Sequence, residues 1–184
     1  AVGYNAGAVI LDGSENTIVG AFSGDAITSG IKNTTLGANA LSVASTALNN
    51  TAIGFNAMAD VKAGVAVDGC VAIGYEALKG NSSNTTGINN TVAVGDSALK
   101  LLTTGGNNTA VGYQAGKAIT VGDHNTVLGH SALSLEVGGQ NSVAIGSAAL
   151  YTQDGGDSDT AMDNIGIGRN TGYHNVTGTD NVWV

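Results

Sequence analysis

The chain has 184 residues, of which 29 are glycine, none is proline and one is cysteine, and its formal net charge is −8. Charged residues make up 11%, against about 25% in an ordinary soluble domain, while 42% are hydrophobic, which excludes a disordered chain. Collagen needs a glycine every third residue, a membrane helix needs about 20 apolar residues in a row, and nucleic-acid binding needs clustered Lys and Arg; none of these is present.

Read from the start, one element recurs. It closes on a branched aliphatic followed by glycine: Val2-Gly3, Val19-Gly20, Leu36-Gly37, Ile53-Gly54, Ile73-Gly74, Val94-Gly95, Val111-Gly112, Leu128-Gly129, Ile145-Gly146 and Ile167-Gly168. Successive glycines are 17, 17, 17, 20, 21, 17, 17, 17 and 22 residues apart, so the register survives three lengthened steps. Three residues after each glycine stands a small residue, such as Ala40, Ala57 or Ala115. Next comes Leu41, Met58, Leu78, Leu99, Leu133 or Leu150, or else Gly7, Gly24, Gly116 or Gly172. Asn-Thr or Asn-Ser pairs open most units: Asn16-Thr17, Asn33-Thr34, Asn50-Thr51, Asn90-Thr91, Asn108-Thr109, Asn125-Thr126 and Asn141-Ser142.

Seventeen residues are too few for a stacked helix pair and suit one coil of short strands with Gly and Asn corners. The expectation is therefore an all-β parallel solenoid of about ten rungs, a rod roughly 50 Å long. The ten branched aliphatics are expected to form its core ladder. Missing prolines follow, because each rung's N–H groups must pair with an adjacent rung. Residues 1–184 read as one continuous segment, a window of a longer fibre, with loop insertions near 59–69, 79–89 and 151–163.

The strings Asn108-Thr109-Ala110-Val111-Gly112-Tyr113-Gln114-Ala115-Gly116 and Asn141-Ser142-Val143-Ala144-Ile145-Gly146 resemble two related repeat classes. The first is similar to the arrays of bacteriophage tail fibres and virion appendages, the second to the head repeats of trimeric autotransporter adhesins. The resemblance covers essentially the whole chain. It implies a left-handed β-roll in each of three parallel chains, a homotrimeric fibre at a virion or cell surface. Its partner would be a bacterial surface glycan or protein receptor, or host matrix for an adhesin. Adhesin heads run a shorter turn than 17 residues, which favours the phage type.

Neither enzyme activity nor a cofactor is expected. His124, His130 and His174 occupy different columns, and His130 falls where other units carry Tyr4, Phe55, Tyr75 and Tyr113. Asp154, Asp157, Asp159 and Asp163 form an acidic loop, a weak Ca²⁺ candidate that lacks EF-hand spacing; a β-solenoid glycosidase would have to draw its paired carboxylates from there. Lys79, Lys100 and Lys117 recur five residues after the glycine, either as a basic ladder for an anionic glycan or as solvated lysines. Cys70 stands where neighbouring units have Asn and reads as a small buried residue. Thr17, Thr34 and Thr51 resemble an ice-binding threonine ladder, with Val71 and Val92 read as one place off it. The insertions read either as neutral decoration on a shaft or as the place where any ligand contact by this segment lies.

Overall fold

The computed structural model describes residues 1–62, 64–65, 67–81, 85–156 and 160–184. The chain is a parallel β-solenoid, and the described residues contain no helix. Among the described residues twelve strands of two or three residues follow one another: β1 (Thr17–Val19), β2 (Thr34–Leu36), β3 (Thr51–Ile53), β4 (Val71–Ile73), β5 (Val92–Val94), β6 (Thr109–Val111), β7 (Thr126–Leu128), β8 (Gly139–Gln140), β9 (Val143–Ile145), β10 (Thr160–Ala161), β11 (Ile165–Ile167) and β12 (Val182–Trp183). Ten of them form one parallel sheet in the order β1-β2-β3-β4-β5-β6-β7-β9-β11-β12. The register glycines thus mark about nine laps. Val111 lies between Val94 and Leu128, as the period requires. The small strands β8 and β10 pair beside this sheet and close the longest lap.

What makes the laps stack is visible at the register glycines. All ten have φ between +126° and +140°. For the first nine, a Cβ would come within 2.6 Å of the carbonyl oxygen of the register glycine one lap on. Each N–H from Gly20 onward donates to the aliphatic residue one lap back, for example Gly112 to Val94 and Gly129 to Val111. Backbone donors point the other way four residues later, where Leu99 donates to Ala115 and Leu133 to Ala149. Because laps donate both upward and downward at fixed positions, a proline there would orphan a carbonyl.

The branched aliphatics do not form the core. Their column is real, but it faces outward: Val2 is 68% exposed, Leu36 48% and Leu128 47%. Val19 and Ile167 are exposed as well, and Ile53, Ile73, Val94, Val111 and Ile145 are half-buried. The inward residue is the one before, at Ile18, Thr35, Ala52, Ala72, Ala93, Ala110, Val127 and Ala144. A coil this narrow has room for alanine there, and alternation along a strand sends the next side chain outside. Thr35 is kept in the core by the Ser23 hydroxyl, which donates to it at 2.8 Å.

Core volume comes instead from the position four residues after the glycine. Leu41, Met58, Leu78, Leu99, Leu133 and Leu150 are fully buried there, with φ of 47° to 52°. A left-handed leucine costs about 1–2 kcal/mol, and burying its side chain returns about 1.5–3, so burial outweighs strain and keeps leucine in place. Where glycine occupies this position, an isoleucine three residues later fills the hole. The Cδ1 atoms of Ile10, Ile27 and Ile119 lie 2.9–3.0 Å from where a Cβ on Gly7, Gly24 or Gly116 would be. At Gly172 the indole of Trp183 does the same.

Chemical denaturation reads the stability consequences of this packing. Gly112→Ala should cost more than about 3 kcal/mol, from strained backbone and a carbonyl clash together. Gly64→Ala, with nothing within 4 Å of the added methyl, should cost about 1 kcal/mol. Gly116→Leu alone should destabilise by about 1–3 kcal/mol through overpacking, and adding Ile119→Ala should restore most of that. A double variant no better than the single would disprove the shared-volume account.

Candidate functional site

Three features of the coil carry polar or reactive chemistry: an internal asparagine relay, the lengthened laps and the outer columns. The relay runs through the inward position just before each main strand. Asn33 N–H donates to Asn16 Oδ1 at 2.9 Å, Asn50 N–H to Asn33 Oδ1 at 3.1 Å and Cys70 N–H to Asn50 Oδ1 at 2.9 Å. It resumes from Asn108 to Asn125 and from Asn125 to Ser142, each at 2.9 Å, and again from Asn164 to Asn181 at 2.9 Å. Most of these carboxamides also donate to a carbonyl of the corner that follows, as Asn108 does to Gly122 O at 2.9 Å. Asn90 and Asn141, grouped with these by the Asn-Thr and Asn-Ser spelling, are exposed corner residues one place early. Thr91 and Ser142 hold the inward positions in those laps.

Cys70 is fully buried in this column, with its thiol donating to Ile88 O at 3.0 Å. Burial pushes the thiol pKa from 9.0 up to about 11. The folded protein should therefore resist thiol reagents at pH 8 and react fully once unfolded. The sign of the linkage is that of an acid whose folded pKa is raised. Stability is full below pH 9 and falls as pH rises from about 9 towards 11, by on the order of 2 kcal/mol. Denaturation curves of wild type and Cys70→Ser across that window check it; the variant should lose this alkaline drop.

The lengthened laps are anchored rather than dangling. Val61, Val67, Ile88 and Met162 insert into the coil from them. In the lap just before the longest one, Glu136 is fully buried and has no ion pair among the described residues. One of its oxygens accepts the N–H groups of Val137, Gly139 and Gly155 at 3.0, 2.6 and 2.8 Å. The other accepts Gln153 Nε2 at 3.0 Å. Gln153 also donates to Ser142 Oγ and accepts from Asn164 Nδ2, both at 2.8 Å, carrying the relay across the lap where Ser142 replaces asparagine. Glu136 and Gln153 stand where other laps have Ile27 or Ile119, and no periodic signal marks them.

The acidic loop supplies little. Asp154 Oδ1 accepts Gly156 N–H at 2.9 Å, Asp163 occupies a left-handed corner, and Asp157 and Asp159 lie outside the described residues. Among the described residues no three His, Cys, Asp or Glu gather as a metal site. Carboxylates do meet at Lys79, whose Nζ lies 3.2 Å from Glu76 and 3.5 Å from Asp60, with Lys100 at 2.6 Å from Glu76. The hydrogen bond from Lys100, then Lys79, holds the Glu76 carboxyl below the usual range. A glycosidase acid needs the opposite shift. The same pairing uses two of the three lysines of the basic ladder, so they are neither free cations nor simply solvated.

Two stripes remain on the outside. The first is the outer face of the large sheet, where the aliphatic column runs beside Thr17, Thr34, Thr51, Val71, Val92, Thr109 and Thr126. Val71 and Val92 are in register with Thr51 and Thr109, not one place off. Threonine and valine therefore share one column, and the threonine ladder is broken by aliphatic rungs. The second stripe follows the register glycines: Phe55 stacks on Tyr75 (5.8 Å, 11°) and Tyr113 on His130 (5.0 Å, 25°). His130 is a ring in this stack, as its column indicated. No family model, curated protein or solved structure matches the chain.

Proposed function

We propose that this chain is a structural and host-recognition segment of an extracellular fibre of the phage tail-fibre type. In this reading three parallel copies, each a left-handed roll, associate along their length. The observation that carries it is the outward aliphatic column. A stripe of Val, Leu and Ile repeated on every lap is costly to leave in water. Its spacing of about 4.8 Å is matched along the whole length by another copy of the same coil, whose side chains can seat between its rungs. The partner on this face is accordingly the chain itself. All three lengthened laps depart from the same arc of the coil, between the buried leucine position and the next left-handed corner. That shared position supports their use as the receptor-facing side, the receptor being a bacterial surface glycan or protein.

Sedimentation equilibrium tests the assembly. Wild type at micromolar concentration should show three times the 18.0 kDa chain mass. Leu128→Glu and Leu36→Glu, both on the outward column, should shift it to the single-chain mass while keeping β-type circular dichroism. A single-chain mass for wild type, or a trimer untouched by both substitutions, would overturn the reading.

A further inference from the structure

The ring stripe has a gap with a charge in it. Tyr75, Asp96 and Tyr113 follow the register glycines of three consecutive laps, tied directly by backbone bonds: Ser97 N–H donates to Tyr75 O at 2.8 Å and Gln114 N–H to Asp96 O at 2.9 Å. Phe55 covers the outer side of Tyr75 and His130 that of Tyr113, so the stripe reads ring, ring, carboxylate, ring, ring. Tyr75 and Tyr113 are 50% and 46% exposed. Two of the three side chains are positioned by neighbours: Gln114 Nε2 donates to the Tyr113 hydroxyl at 3.0 Å, and the Ser97 hydroxyl donates to Asp96 Oδ1 at 2.6 Å. Among the described residues Asp96 has no ion pair, and the nearby Lys79 and Lys100 are committed to Glu76.

We propose that Tyr75, Asp96 and Tyr113 form a slot for a quaternary ammonium group of the choline type. Two strand spacings of about 4.8 Å separate the tyrosines, so a group midway lies about 5 Å from each ring. That is inside the roughly 6 Å reach of a cation–π contact. A flat guanidinium stacks at about 3.5–4 Å, the ordinary contact distance between carbon atoms, and would leave one wall untouched. A trimethylammonium group is thick enough to touch both. The negative ring faces and the Asp96 carboxylate all favour a cation, and the carboxylate separates charge from mere apolar bulk. The slot stands independently of the trimer, since it uses a different column of side chains.

Titration of the intact chain with choline chloride, followed by NMR shifts of the Tyr75 and Tyr113 ring protons, tests it. Saturable millimolar binding is expected. Asp96→Asn should weaken it by about tenfold, and Tyr75→Ala or Tyr113→Ala by about three- to tenfold. Tyr4→Ala, elsewhere in the same column, should leave it unchanged. The neutral isostere 3,3-dimethyl-1-butanol should bind at least tenfold more weakly than choline. Phosphatidylcholine vesicles that co-sediment with wild type but not with Asp96→Asn would identify a lipid as the source. Choline binding without vesicle binding would identify a glycan-borne or free headgroup. No saturation by 50-fold excess choline over a millimolar reference, equal affinity for the isostere, or an unaffected Asp96→Asn would each overturn the proposal.

Discussion

Everything in this coil hangs on the approach of one backbone to the next at the register glycines. With a carbonyl oxygen of the following lap where a side chain would begin, only glycine passes, and only with φ near +130°. That contact sets the lap spacing, and the spacing lets N–H groups on both sides of the corner reach their acceptors. Repeating the corner repeats the structure, so stability grows lap by lap through contacts between neighbouring rungs. Buried leucines in left-handed conformation are a consequence: the corner dictates their backbone, and the core accepts their bulk.

The same constraint explains which parts of the architecture are legible in the sequence. A 17-residue period and a glycine column survive in the text because no other residue can replace them. The core column is misread from sequence because hydrophobicity alone favours Val and Ile over alanine as core residues. At that point of so thin a coil the interior admits mostly alanine, its bulk being supplied by the left-handed leucines, while the branched residues next along the strand face outside. Likewise Asn90-Thr91 and Asn141-Ser142 spell the same pair as Asn108-Thr109 but sit one place earlier, a shift that spelling hides and the strand register exposes. Glu136 and Gln153 are invisible at that level, being non-repeating residues whose role depends on a loop folding back over them.

Function is less legible than fold for a physical reason. Period reports on what every lap shares, whereas recognition depends on what single laps do differently. Lys79 and Lys100 look like a ladder until Glu76 is placed between them. Asp96 looks like an interruption of an aromatic column until the rings of the laps on either side are placed around it. The departures from the repeat are where specific chemistry can be written on a scaffold that is otherwise uniform.

The asparagine relay is not continuous, and the gaps are not scattered. Cys70 and Ser142 open the two longest laps, and Thr91 follows directly on the first of them. Gln153 bridges the break at Ser142, but between Cys70 and Asn108 no carboxamide at the inward position joins the described laps. Across that stretch the laps are held instead by strand pairing, buried Leu78, Ile88 and Leu99, and the Glu76–Lys100 ion pair, so the cohesion of the coil changes its chemical kind along its length while its geometry does not.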